Sequence, residues 1–598
     1  MGKYGWKIHN YKAATVLGKN LGIRDRYDYT DAILHHSLFT RFLKSHGMST
    51  DKKDEATRDI ICLDFGFGLR SYKEELKHLE SMRNNAIKKI SDEDELNKRL
   101  LLINNLQENL ESKKDEFKKM SRDEIRKKFY IDGCDIQYPN ETIHYKMLYR
   151  NPSKAKQGSV MFIREELYDI AYKWLTMGLG NKLPRSNAKI VEISAYSPLT
   201  ASAIESTVTI NIDDVLILKD QDSYFRTVAD IVKTCDYEET VNKRVIKGKK
   251  CIVERELTDV KNTIWDGMAL IESSILPKSC NGMALLRNHF FKACAFKTYI
   301  QKFIKNYCMQ HNIDYDSYII FDMYGIPHLA KNIKMITTDN ATKFKKFKDL
   351  VGTTDKDIYK YWREKVIADG CVFGIVKTDH PSKLGEVQQM SYQMINSLPT
   401  TKHDIELISK TSVDYIDKLK SDTPTFIRYL RQNSSAINHY DMLADLYELN
   451  HDFEKSKMFK YDRSEIISKY VNKLRKGKLV VYGDNLTMCG NPYGLLLYTV
   501  GENYEDDPTL RPDDGVIQVY TKRFEDREFL CGIRSPQNGQ SNLGYFKNVK
   551  HPLFDEYFDF SNNILAVNCI HTDVQARMNG MDLKIRSVLG KPNSKDMR

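Results

Sequence analysis

Two blocks of short β-branched runs, held apart by a charged stretch of helical texture, constrain the fold of this chain more than any other feature. From about residue 157, Ile190-Val191-Glu192-Ile193, Val208-Thr209-Ile210 and Val215-Leu216-Ile217-Leu218 follow one another across polar turns. Cys251-Ile252-Val253, Tyr318-Ile319-Ile320-Phe321 and Lys334-Met335-Ile336-Thr337 continue the series. After residue 476 the texture returns in Leu479-Val480-Val481-Tyr482, Val516-Ile517-Gln518-Val519-Tyr520, Phe529-Leu530-Cys531-Gly532-Ile533 and Ile564-Leu565-Ala566-Val567. Many short strands between turns predict a barrel or sandwich in each block. Residues 340–476 read as mainly helical, with Thr423-Pro424-Thr425 as one break. No sequence repeat is visible, yet the two β blocks can share one fold.

Ahead of the first block, residues 71–129 carry apolar residues at helical spacing. Tyr72, Leu76, Leu79, Ala86, Ile87 and Ile90 form one series, and Leu96, Leu100, Ile103, Leu106 and Leu110 a second. Ser91 and Asp94 predict an N-cap box that opens the second helix. A helical hairpin with solvated, charged outer faces follows, within an N-terminal region, 1–189, expected to be mainly helical.

Composition narrows the function classes. With 598 residues, several domains are expected. Hydrophobic residues at 41% are enough to fill cores, which excludes a disordered chain. The net charge of +11 is compatible with a polyanionic partner without requiring one. The eleven cysteines lie far apart with no CxxC, which argues against a zinc ribbon or a thioredoxin-type site and fits reduced thiols in a cytoplasm. The N-terminus has no apolar core after its charges, and no stretch approaches the roughly 18 apolar residues of a membrane span. A cytoplasmic protein with no membrane partner is expected.

Several motifs fail on context. Asp64-Phe65-Gly66 matches the metal-binding triplet of kinases, but no Gly-rich loop or HRD loop precedes it, so it reads as a strand and turn. There is no GxxxxGK[ST], no HExxH and no GxSxG. Three basic clusters stand out. Lys343-Phe344-Lys345-Lys346-Phe347-Lys348 interleaves cations with rings, a composition suited to phosphate contact and base stacking. Lys473, Arg475, Lys476 and Lys478 form the second, and Arg244, Lys247, Lys249 and Lys250 the third. Any one of them is more often a solvated face than a binding patch.

Three further segments, taken in order, resemble the two-barrel nucleic-acid polymerases. That superfamily holds the cellular RNA-dependent RNA polymerases of RNA silencing, their bacterial and phage relatives, and the large subunits of multisubunit RNA polymerase. Trp265-Asp266-Gly267-Met268-Ala269, followed by Leu286-Arg287-Asn288-His289-Phe290-Phe291-Lys292-Ala293-Cys294, resembles the family's DG turn and the strand whose lysine contacts phosphate. The match falls on Lys292, with Lys297 as its competitor. Gly532-Ile533-Arg534-Ser535-Pro536, with Gly544-Tyr545-Phe546-Lys547-Asn548 after it, is similar to the R-x-P strand end whose arginine lies near the incoming nucleotide. Asn568 to Leu583, ending Met578-Asn579-Gly580-Met581-Asp582-Leu583, resembles the approach to the loop in which three alternating aspartates hold Mg²⁺.

The third segment departs from its family. Asp582 stands where the first aspartate belongs, but Lys584 and Arg586 occupy the next two places. After them the chain is basic, and it reads as truncated or frameshifted just past Asp582. The resemblance therefore implies an α+β architecture with two double-psi β-barrels, at 190–335 and 477–583, the second incomplete. A helical connector, 336–476, lies between them, and an aberrant tail, 584–598, follows. It implies template-directed RNA synthesis in intact relatives, with an RNA or DNA template and nucleoside triphosphates as partners. In this chain Lys292 and Asp582 are the expected catalytic remnants, Arg534 and Lys297 the nucleotide contacts, and Lys343, Lys345, Lys346 and Lys348 the nucleic-acid contacts. Asp582 is the one expected Mg²⁺ ligand. The rival readings are a non-catalytic nucleic-acid-binding protein and a structural protein of a mobile element or phage.

Overall fold

The computed structural model describes residues 5–51, 55–66, 71–115, 122–150, 158–183, 189–241, 244–380, 387–390, 392–397, 401–435, 437–513, 516–534, 542–578 and 586–590. They form a mixed α+β chain of two compact units. One comprises Met1–Thr209, Arg287–Phe291 and Lys343–Val376, and the other the remainder. Among the described residues no helix is long and apolar enough to cross a membrane.

The first unit adds a sheet to the helices expected of the N-terminal region. A six-stranded sheet runs through it: β1 (Gly5–Lys12), β2 (Tyr29–His35), β3 (Ile60–Asp64), β4 (Cys134–Gln137), β5 (Thr142–Arg150) and β6 (Ser159–Arg164), in the order β2-β1-β3-β6-β5-β4. These strands hid from the sequence because several carry polar residues on one face, as in Cys134–Gln137, where Cys134 and Ile136 are buried and Asp135 and Gln137 exposed. The helical hairpin is present as Tyr72–Lys89 and Glu93–Ser112. Its second helix is capped by Asp92, which accepts from the Glu95 N–H, rather than by Ser91. Leu79, Ala86, Ile103, Leu106 and Leu110 are buried between the two helices and Ile23. Asp64-Phe65-Gly66 is a strand end and turn, with the Asp64 carboxylate accepting from the Gly66 N–H at 2.7 Å. Ile190–Ile193 is not a strand: Lys189–Tyr196 is a helix that buries Ile193 and leaves Ile190 and Val191 exposed. β7 (Ser206–Thr209) completes this unit's share of the early strands.

In the second unit, β8 (Val215–Leu218), β9 (Asp222–Val241), β10 (Arg244–Thr263), β11 (Met268–Glu272), β12 (Asn281–Asn288) and β13 (Phe291–Thr298) follow in turn. β14 (Ile319–Phe321) and β15 (Pro327–Leu329) make a small hairpin before β16 (Met335–Thr338). Five of these strands form a sheet in the order β12-β13-β11-β16-β8. β17 (Val372–Asp379) begins in the first unit, where Val372–Ile375 pair antiparallel with β7. β18 (Val387–Gln389) pairs with β19 (Val480–Tyr482). Between them lie the helices Lys402–Ser421, Thr423–Gln432, Tyr440–Leu449 and Lys457–Leu474, packed on one apolar cluster around Phe426, Leu430, Leu443 and Phe459. The expected break at Pro424 is the first turn of the second of these helices, capped by Asp422.

The last strands are β20 (Asp484–Gly490), β21 (Ile517–Tyr520), β22 (Phe529–Ile533), β23 (Leu543–Asn548), β24 (Ile564–Val567) and β25 (Arg586–Gly590). They close a barrel in the order β20-β24-β21-β23-β22-β25. This corrects the reading of an incomplete second barrel, because part of the expected tail supplies its sixth strand. β25 pairs antiparallel with both β20 and β22 and closes the ring. The short run Val588-Leu589, set among cations, hid it from the sequence.

The two β-modules share one design. In chain order β8, β11, β12, β13 and β16 correspond to β20, β21, β22, β23 and β24, and the neighbours match. β11 and β13 are parallel, as are β21 and β23. β11 and β16 are antiparallel, as are β21 and β24. β16 and β8 are parallel, as are β24 and β20. One apolar cluster joins the modules, running from Leu216, Trp265, Cys294 and Phe296 to Leu486, Met488, Leu565 and Val567.

Candidate functional site between the β-modules

Trp265-Asp266-Gly267 forms a true turn. Gly267 has φ of +68°, a conformation that favours glycine, and the Met268 N–H donates to the Trp265 carbonyl at 3.1 Å. The turn delivers the chain into β11 beside β13, where Met268 lies opposite Cys294. The Cys294 N–H donates to the Gly267 carbonyl at 3.0 Å. Lys292 stands two residues ahead of Cys294, on the strand face of Cys294 and Phe296, and is half-buried. The turn and the lysine strand, separate in sequence, are thus adjacent.

Asp220 holds this turn from behind. Its carboxylate accepts from the backbone N–H groups of Gln221 and Trp265 and from the side chains of Thr338 and Asn340, at 2.9–3.1 Å. Burial pushes its pKa up to about 6 from 3.8, against the pull of Asn340, Thr338 and the Trp265 N–H. Because the folded-state value is the raised one, its stabilising contribution is complete below pH 3.8 and is lost as the pH rises through about 6. The shift corresponds to about 3 kcal/mol. The Asp220→Asn variant, neutral at every pH, is expected to lose about 2 kcal/mol less than the parent between about pH 4 and 6.5. Urea unfolding at stepped pH measures the difference, and parallel profiles would contradict it.

Lys297 is committed elsewhere. Its ammonium lies 2.6 Å from the Asp559 carboxylate, which also accepts from the Ser273 hydroxyl at 3.0 Å. Burial pushes the Asp559 carboxyl up, but the hydrogen bonds from Lys297 and Ser273 outweigh it and hold the group below its ordinary value. Lys297 ties β13 to the segment ahead of β24.

The segment Asn568–Met578 is clamped from both modules. Asn262, fully buried at the root of β10, donates to the carbonyls of Cys569 and Thr572 at 2.9 and 2.7 Å and accepts from the Gln575 N–H. Gln575 accepts from the Thr263 N–H and donates to the Thr263 carbonyl, both at 2.7 Å. From the second module, Arg534 follows the end of β22, is 6% exposed, and donates to the Met578 carbonyl at 2.8 Å. Asn542 donates to the Arg577 carbonyl at 2.9 Å. A side chain at Gly544 would run into the Phe546 ring and meet the Met578 sulfur at 3.2 Å, so the glycine leaves room for both on β23. Arg577 pairs with Asp573 one helical turn back, at 2.6 Å.

Past Met578 lie residues 579–585, which carry Asp582 and Lys584 and fall outside the described residues. They connect the clamped segment to β25. The structure thus brings Arg534 to Met578, four positions ahead of Asp582 in the chain, and sets Lys292 beside the DG turn. Asn262, Gln575 and Asn542 were not singled out from the sequence as site-building residues. An isolated Asn or Gln carries no motif, and their role exists only once the chain has folded. Arg534→Ala removes a charge-assisted hydrogen bond and is expected to destabilise by about 1.5–3 kcal/mol. Amide exchange should rise most at residues 574–578. Uniform exchange across the unit would contradict the clamp.

The Lys343–Lys348 cluster, in the first unit, differs from its sequence reading in one respect. Phe344 and Phe347 are fully buried, Phe344 stacked on Trp362 at 4.8 Å and Phe347 edge-on to Phe290 at 5.3 Å. The rings belong to a core and offer no platform for bases. Lys346 pairs with Glu192 at 3.0 Å, and Lys348 with Asp355 at 3.1 Å.

Among the described residues no three His, Cys, Asp or Glu side chains gather as ligands. The loop adds one carboxylate, Asp582, with Lys584 two residues on. A hard cation requires several anionic oxygens, and a neighbouring ammonium opposes it.

No protein-family model and no curated protein matches this sequence. Among solved structures, one described as RNA dependent RNA polymerase QDE-1 from Thielavia terrestris is similar, with a TM-score of 0.48 and 10% sequence identity. The likeness covers 99% of this chain and 54% of that one, so the chain spans about half the length of that protein. At this score the likeness carries no argument about function.

Proposed function

We propose that the chain is a nucleic-acid-binding protein of the two-barrel polymerase type, with its site where the two β-modules meet. On this reading each module is a double-psi barrel, and the site is bounded by Lys292, the Trp265–Gly267 turn and the loop that holds Asp582. Lys292 contacts phosphate as a point charge. Arg534 is a positioning residue, because its guanidinium holds the Met578 carbonyl at the mouth of the loop. The observation that carries the proposal is the double clamp on Asn568–Met578: Asn262 from one module and Arg534 from the other fix the segment that leads to Asp582.

In intact relatives such a site would serve template-directed nucleotidyl transfer with Mg²⁺. Here the donor set fails that metal, so the reading is binding of single-stranded RNA or DNA and of nucleoside triphosphates without turnover. The lysines at 343, 345, 346 and 348 add phosphate contacts at most, since their interleaved rings are buried. Titration with a labelled single-stranded oligonucleotide at stepped salt tests the proposal. Log affinity should fall linearly with log salt, by about 0.7 per phosphate neutralised. Affinity independent of salt would overturn it.

A further inference from the structure

The hairpin of β9 and β10 belongs to neither sheet. Each strand is 20 residues long, and the register pairs every residue from Asp222↔Thr263 to Val241↔Arg244. At about 3.3 Å per residue the ribbon is about 65 Å long. Its two faces differ. One includes half-buried residues such as Phe225, Ile231 and Ile252. The other is open to solvent and, among the described side chains, holds the ribbon's exposed large apolar ones: Tyr224, Val228, Val232, Val245, Val253 and Leu257, each more than half exposed. Exposed apolar rows on a long ribbon mark an interaction surface.

Charge selects the occupant. The open face carries five cations (Arg226, Lys247, Lys249, Arg255, Lys261) and five acids (Asp222, Asp230, Asp236, Glu238, Asp259), a net charge of zero. A neutral face does not suit a polyanion. The charges are also paired across the strands: Arg226 lies opposite Asp259, Asp230 opposite Arg255, Asp236 opposite Lys249 and Glu238 opposite Lys247. Each of these rows therefore holds one acid and one base. When two such faces stack about a two-fold axis along the ribbon, each row meets its own copy with the columns exchanged. Arg226 then comes over Asp259 of the second copy, and Asp230 over Arg255. Val228 comes over Leu257, and Val232 over Val253, at the centre.

We propose that this face is a self-association surface, and that its occupant is the same face of a second copy of the chain. Faces about 10 Å apart and nearly aligned are the ordinary geometry of packed sheets. Eight rows at about 6.7 Å each, on a ribbon about 10–12 Å wide, cover about 1,100–1,300 Å² over both copies, the low end for a specific interface. The dimer is accordingly weak and salt-sensitive, populated at about tens of micromolar protein.

Sedimentation equilibrium of the full chain, with two charge variants, tests the proposal. Arg226→Glu with Arg255→Glu makes both rows acidic, and Asp230→Lys with Asp259→Lys makes both basic. The parent should dimerise, and each variant alone should associate at least about tenfold more weakly. An equimolar mixture of the two should recover the dimer mass, because every acid again meets a base. That recovery cannot come from misfolding. A parent that stays monomeric across the concentration range, variants that dimerise like the parent, or a mixture that stays monomeric would overturn the proposal. So would a gain of oligonucleotide affinity in the basic variant, matched by a loss in the acidic one, with no change of mass in either.

Discussion

Trp265→Ala is expected to lower the unfolding free energy by about 3–5 kcal/mol, the range for a buried aromatic truncated to alanine. Trp265 is fully buried, its ring stacks on Tyr498 at 5.4 Å, and its indole N–H donates to the Asn491 carbonyl at 3.1 Å. Asn491 follows β20, so this one side chain joins the turn of the first module to the second. Truncation opens a cavity and strands a buried carbonyl together. Trp265→Phe separates the two effects: it keeps most of the volume and should cost about 1–3 kcal/mol. Urea unfolding reads both. Because one apolar cluster spans the modules, the loss should appear as a shift of a single transition. A cost of Trp265→Ala below about 1 kcal/mol would show that the modules do not depend on this anchor.

The second large effect is on catalysis. The chain should incorporate no nucleotide in a template-dependent assay with Mg²⁺ or Mn²⁺. One carboxylate followed by two cations cannot replace three converging carboxylates. Without metal activation of the attacking hydroxyl, several kcal/mol of transition-state stabilisation are lost, on the order of thousands-fold in rate or more. Because β25 already closes the barrel, the matching variant needs only two changes, Lys584→Asp and Arg586→Asp, with no added strand. Activity in the parent would show that its metal ligands lie outside the loop of Asp582.

What was legible in the sequence, and what was not, follows from burial. Val215–Leu218 and Ile564–Val567 are buried on both faces, so their runs are continuous and announced strands. The β9–β10 ribbon is solvated along most of its length, and its charged rows concealed it. Ile190–Ile193 misled in the opposite direction: its β-branched residues sit on a helix with only Ile193 buried. Within the candidate site, the DG turn was visible because Gly267 takes a positive φ that favours glycine, whereas Arg534, expected as a nucleotide contact, is seen donating to the Met578 carbonyl. The Asn262 clamp was not visible, because its partners are backbone carbonyls more than 300 positions away in the chain. The basic stretch Lys343–Lys348 shows the limit of composition: alternating rings and cations there reflect one buried and one exposed side of a short helix.

The affinity of Lys292→Glu for a single-stranded oligonucleotide, set beside that of Lys345→Glu and the parent, tests the central claim most directly. Lys292 lies at the proposed site in the second unit, and Lys345 lies in the first. If the oligonucleotide binds between the β-modules, Lys292→Glu should weaken binding at least about tenfold and flatten the salt slope by about 0.7 or more. Lys345→Glu should change the affinity by less than about threefold. Parent-like binding by Lys292→Glu, with the loss falling on Lys345→Glu instead, would contradict the claim that the site lies between the β-modules.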